Sequence, residues 1–61
     1  MNDRLRYILF ERRIDQKALA EVAGVSEAFI SNVVNGKKMP SVPVLKRIAD
    51  YLHVTVDELI D

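Results

Sequence analysis

The sequence predicts an all-α fold, one small domain of five short helices. Apolar residues recur at three- and four-residue spacing along the chain, polar capping residues precede most of these stretches, and no stretch alternates as a strand does.

The first helix spans about residues 2–13, with Leu5, Ile8 and Leu9 as its stripe, Tyr7 and Phe10 towards its edge, and Asn2 or Asp3 as N-cap. After Ile14, Asp15 caps a second helix over about 16–23, striped by Leu19, Ala20 and Ala23 and stopped by Gly24. Val25 fills the turn, Ser26 caps a third helix over about 27–35, and Gly36 supplies a left-handed stop. A loop through Lys37, Lys38, Met39 and Pro40 leads to a fourth helix over about 41–52, with Ser41 as cap, Pro43 in the first turn, and Leu45, Ile48, Ala49 and Leu52 inward. Thr55 opens a fifth helix over about 55–60, with Glu58 at capping-box spacing and Val56, Leu59 and Ile60 apolar.

A 61-residue chain can form only one domain, so residues 1–61 are read as a unit. A fold of this size buries about 60% of the surface its unfolded chain exposes, which leaves a thin stability margin. With 49% hydrophobic and 30% charged residues the chain has enough apolar surface to fold, and with no cysteine it has neither disulfide nor zinc thiolate to staple it. No apolar run approaches the roughly 20 residues of a membrane span and no signal segment opens the chain, so a cytoplasmic location is expected.

The formal net charge of zero argues at first against a nucleic-acid partner. Its distribution answers the objection. Residues 1–49 hold all nine basic residues against five acidic ones, a net +4, while Asp50, Asp57, Glu58 and Asp61 make the tail acidic. Such an asymmetry can orient a protein on a polyanion, although ordinary surface charge explains it about as well.

On the third helix Phe29, Ile30, Val33 and Val34 fall to one side, and Glu27, Ala28, Ser31, Asn32 and Asn35 to the other. The preceding helix has a small residue, Ala20, where two helices can cross closely, and Gly24 can adopt positive φ in the turn. Val25, Ile30 and Val33 are apolar plugs for that crossing. This is a helix-turn-helix arrangement over about residues 16–35.

Over almost its whole length the sequence resembles the Cro/CI-type, or XRE-like, helix-turn-helix family, which includes the lambdoid phage repressors. The resemblance is carried by Gln16, Leu19-Ala20, Gly24-Val25-Ser26, Ile30-Ser31, Asn35-Gly36-Lys37, Pro40-Ser41, Leu45 and the closing Val54-Thr55-Val56-Asp57-Glu58-Leu59. It implies a lambda-repressor-like DNA-binding domain that reads the major groove of double-stranded DNA and regulates transcription, with repression as the expected output. Glu27, Ala28, Ser31 and Asn32 match the base-reading positions. Glu can accept from cytosine N4, Ala can touch a thymine methyl, and Asn can bridge adenine N6 and N7. Gln16, Lys17, Ser26, Asn35, Lys37 and Lys38 match positions that meet the phosphate backbone. Outside the motif, Gln16 reads better as a helix former, Ser26 as a cap and the lysines as solvated surface; within it the contact readings are preferred. Glu27 is repelled by phosphates unless a base donor receives it, and so can serve by excluding wrong sequences. Phe29 is expected to be partly buried in the turn, with packing on a sugar as the lesser alternative.

Two departures from the family carry structural expectations. Many relatives pair an arginine in helix one with a glutamate before the Asn-Gly, where this chain has Leu9 and Val34. Replacing both partners of a buried ion pair by apolar groups is often neutral or stabilising, so Leu9 is expected to meet Val34. His53 stands where relatives close helix four with glycine, which predicts a non-glycine residue at positive φ.

With no long basic arm before helix one and no second domain after helix five, an operator-binding homodimer, whether preformed or assisted by DNA, would form through the domain itself. Val44, Tyr51, Val56 and Ile60 are the candidate dimer contacts, the alternative being that they finish a small core. Neither a metal, a cofactor nor a small-molecule ligand is expected. His53 stands alone without a zinc ligand set, no Ser-His-Asp set or glycine-rich phosphate loop is present, and Asp57 with Glu58 reads as helix capping rather than catalysis. The rival function is a protein-interaction module, of antitoxin or antirepressor type, with DNA contact secondary.

Overall fold

The computed structural model describes residues 3–60. It contains α1 (Arg4–Arg12), α2 (Gln16–Ala23), α3 (Glu27–Val34), α4 (Val42–Leu52) and α5 (Val56–Ile60), and no strand among the described residues. The helices gather into a body of 24 × 23 × 20 Å, with α2 against both α3 and α4, and α5 closing against α1 and α4. Leu5, Leu19, Ala23, Ile30, Val33, Ile48, Leu52 and Leu59 are almost fully enclosed at its centre. No buried polar side-chain atom lacks a partner among the described residues.

The helices begin as the capping residues predict, with two corrections. Asp15 Oδ1 accepts from the Ala18 N–H at 2.7 Å, Ser26 Oγ from Phe29 at 3.0 Å and Thr55 Oγ1 from Glu58 at 3.1 Å. Ser41 holds the N-cap position of α4, but its side chain makes no capping bond. An N-cap side chain bonds the second or third helical N–H, and the second residue here is Pro43, which has none. Asp3 likewise caps α1 by position alone, with φ −84° and ψ 6° in place of an extended backbone. Asn2, the other candidate, lies outside the described residues. α2 spans the expected 16–23; α3, α4 and α5 are each one residue shorter than the sequence pattern because Asn35, Ser41 and Thr55 stand as caps outside them, and α1 is bounded by Asp3 and Arg13 in cap positions.

Four helices end in one way. Arg13 (φ 56°), Gly24 (φ 75°), Gly36 (φ 77°) and His53 (φ 58°) turn left-handed at the ends of α1, α2, α3 and α4. The following N–H then reaches back five residues: Ile14 to the Leu9 carbonyl, Val25 to Ala20, Lys37 to Asn32 and Val54 to Ala49, at 2.8–3.1 Å. Ile14, Val25 and Val54 pack against the core, whereas Lys37 is exposed. The positive φ expected of His53 is present; Arg13 in the same conformation was not foreseen.

Arginine side chains cross between elements and occupy carbonyls that three helices leave unpaired at their ends. Arg12 Nη1 makes a short bond to the Leu52 carbonyl at the end of α4. Arg47 Nη1 donates to the Ala23 carbonyl at the end of α2 at 3.3 Å. Arg6 Nη2 donates to the Val34 carbonyl at the end of α3 at 3.4 Å. A cation at a helix C-terminus also opposes the negative end of the helix dipole.

Candidate nucleic-acid interface

The turn from Gly24 to Ser26 sets α3 across α2, and burial of Ile30, Val33 and Val34 fixes which side of α3 faces outward. Glu27 and Ala28 are exposed in its first turn; Ser31 and Asn32, one turn on, are half-buried and line the outer side. The Asn32 carbonyl accepts from the N–H groups of both Lys37 and Lys38, at 2.8 and 3.3 Å, so the loop after α3 folds back on the helix. Lys38 Nζ stands 5.9 Å from the centre of the Phe29 ring, within cation–π range. Phe29 is itself half-buried against the core, the inward of its two expected placements.

Gln16, half-buried, begins α2, with Lys17 exposed beside it. Ser26 Oγ is engaged as acceptor in its cap, and its hydroxyl proton remains a possible donor. Asn35 is exposed and its Oδ1 accepts from Arg6 Nη2 at 3.2 Å. The base-reading candidates therefore share the outer side of α3, and Lys37 and Lys38 are tied to it through Asn32.

Leu9 and Val34 are 5% and 7% exposed, belong to the same core cluster and line one groove, as expected of an apolar replacement for an ion pair. Sequence reasoning missed Arg6. It lies three residues before Leu9, on the same helical side, and brings an α1 arginine to the end of α3 by a different route.

Of the dimer candidates, Val44 and Val56 are half-buried against the core, while Tyr51 and Ile60 are 41% and 40% exposed. On α1, Phe10 is 82% exposed, and Tyr7 donates to Glu11 Oε2 at 2.8 Å. That hydrogen bond, with the carboxylate charge, raises the Tyr7 phenol above its ordinary pKa of 10.0. No described helix is long and apolar enough to cross a membrane.

Comparison with known proteins agrees with this geometry. The helix-turn-helix family profile matches residues 5–59. The HTH-type transcriptional activator BcrR of Enterococcus faecalis is 36% identical over 59 residues, which cover 97% of this chain and 29% of that protein. The chain thus spans under a third of the length of that relative. No solved structure gives a significant match. The profile match over nearly the whole chain, with five helices and a helix-turn-helix crossing at Gly24, places the protein in the Cro/CI-type helix-turn-helix family of DNA-binding transcriptional regulators.

Proposed function

We propose that the chain binds a specific duplex sequence by laying α3 in the major groove, as a homodimer on an inverted repeat. The observation that carries this reading is the exposed, uncharged-to-acidic side of α3 flanked by groups suited to phosphate. Glu27, Ala28, Ser31 and Asn32 offer acceptors, a methyl and an amide to base edges, while Gln16, Lys17, Ser26, Asn35, Lys37 and Lys38 offer donors to the backbone. With no arginine on the exposed side of α3, affinity rests on the flanks and specificity on the small polar set.

The family's DNA-binding role favours this over a protein-interaction module of antitoxin type, and over an enzyme. Tyr51 and Ile60 are the exposed apolar groups through which two copies would meet, with Val44 and Val56 supporting them from the core side. Half-sites would then repeat at about one helical turn, roughly 34 Å.

The output we assign is repression, because occupying an operator is sufficient to block a promoter. Activation is the second reading, favoured by the name of the Enterococcus faecalis relative, and a promoter fusion with and without the protein separates the two by sign.

Selection of bound duplexes from random DNA tests the binding itself. An inverted-repeat consensus is expected. Asn32→Ala should then lose about 1–3 kcal/mol of discrimination at one base pair of each half-site. Gln16→Ala should weaken all duplexes alike. Binding that is absent, or insensitive to salt, sinks the proposal and favours the protein-interaction module.

A further inference from the structure

We propose that Arg6 is an additional DNA-backbone contact, its guanidinium taking a phosphate in the groove that runs from α1 to Gln16; this rests on the DNA-binding reading above. The groove holds about 230 Å³. The buried Leu9 and Val34, the half-buried Ile14 and Gln16, and the exposed Arg6 and Phe10 line it. Asp15 also lines it, and its Oδ1 is engaged by the Ala18 N–H at 2.7 Å.

Arg6 is exposed yet held. Its Nη2 donates to the Val34 carbonyl at 3.4 Å and to Asn35 Oδ1 at 3.2 Å, both longer than the usual N–H···O distance of about 2.9 Å. A guanidinium carries roughly five N–H donors in a planar fork. Among the described residues the hydrogen bonds of Arg6 are made by Nη2, so one nitrogen of the fork is orientated by its neighbours, while the exposed side chain also lines an adjoining groove with Asp3, Tyr7 and Phe10. A phosphate accepts two parallel N–H groups from such a fork. Phe10, 82% exposed beside it, offers an apolar face on which the attached deoxyribose can rest.

Its partners distinguish Arg6 from the other arginines that join helix ends. Arg12 and Arg47 reach the ends of α4 and α2. Arg6 reaches the end of α3 and binds Asn35, itself a candidate backbone contact, in a groove shared with Gln16. One phosphate there would be met from α1, α2 and the end of α3 together.

The test is the slope of log K against log salt on the selected duplex, for wild type, Arg6→Gln, Arg6→Lys and Arg12→Gln, each confirmed as folded by circular dichroism at the binding temperature. Arg6→Gln should lower the slope by about 0.9 per bound subunit and weaken every duplex equally. Arg12→Gln loses a helix-end bond of the same kind and should keep the wild-type slope, so loss of stability alone does not mimic the effect. Arg6→Lys keeps the charge without the fork; it should hold the slope and lose roughly 5-fold in affinity. A wild-type slope in Arg6→Gln, or wild-type affinity in Arg6→Lys, overturns the proposal, and the lysine variant decides it if the glutamine variant does not fold. If wild type shows no salt-dependent binding the DNA-binding reading falls as well; if wild type and Gln16→Ala behave as expected and Arg6→Gln is silent, only the role of Arg6 is lost.

Discussion

Arg47 Nη1 hydrogen-bonds the Ala23 carbonyl at 3.3 Å, and the same nitrogen lies 3.1 Å from where a Cβ on Gly24 would stand. The residue that must turn left-handed to admit α3 is therefore also the residue over which α4 reaches to hold the end of α2. A side chain at Gly24 requires that guanidinium to give by a few tenths of an ångström.

Gly24→Ala should accordingly cost more than Gly36→Ala, although both glycines have nearly the same φ. At Gly36 a Cβ meets nothing within 4 Å, so only the left-handed strain is felt, about 1–2 kcal/mol. At Gly24 the displacement that weakens the arginine bond adds up to about 1 kcal/mol. Urea unfolding of both variants gives the comparison, and in an Arg47→Met background the two costs should converge.

The left-handed conformation at Arg13 and His53 predicts the opposite sign. Glycine removes the Cβ strain there while loosening the unfolded chain, and the balance should stabilise by about 0.5–1 kcal/mol at each position. Arg13→Gly and His53→Gly should raise the urea midpoint without changing the slope of the transition. Unchanged or lowered midpoints would mean that the arginine and histidine side chains contribute more than their backbone strain costs.

Leu9 and Val34 permit a test of exchange between apolar and ionic solutions. Leu9→Arg or Val34→Glu alone should destabilise by about 3–5 kcal/mol, since each leaves an unmatched charge in the core. The double variant should recover a large part of that loss, measured as a coupling energy in a double-mutant cycle. Additive losses would show that Arg6, already at the Val34 carbonyl, leaves no room for a second cation at the end of α3.

Tyr7 supplies a prediction in pH. Its phenol is raised above 10.0 mainly by the hydrogen bond to Glu11, so that contact's contribution to stability is present below pH 10.0 and lost as pH rises through the raised pKa. The pair is solvent-exposed and its effect on unfolding should be small. The direct measurement is ultraviolet titration of the phenol. Glu11→Gln should move the Tyr7 transition down towards 10.0.

The local features were readable from sequence because their causes are local. Ser26 before an apolar period, Gly24 and Gly36 after one, and the small Ala20 at the crossing each act within a few residues of themselves. His53 was legible for another reason, as a departure from a family position that takes glycine. Arg13 was not, since nothing local marks an arginine for positive φ and its conformation is set by Ile14 packing against the core. The crossing arginines were illegible for the same reason: a reach of 24 to 40 residues along the chain depends on how helices are set against one another. They also alter the charge argument. The net +4 of residues 1–49 counts Arg12 and Arg47, whose guanidinium groups keep their charge but are held at helix ends, so the count alone does not say where on the surface that charge stands.

Among the four left-handed helix endings, the one after α3 differs in the residue that follows. Ile14, Val25 and Val54 turn inward as anchors, and Lys37, with the same backbone bond, turns outward. A packing position has been released at that corner without loosening the backbone that carries it. The residue after Gly36 is thus a mount of fixed geometry and free chemistry; on the function proposed above, its side chain can be exchanged to retune affinity for DNA while α3 stays where it is.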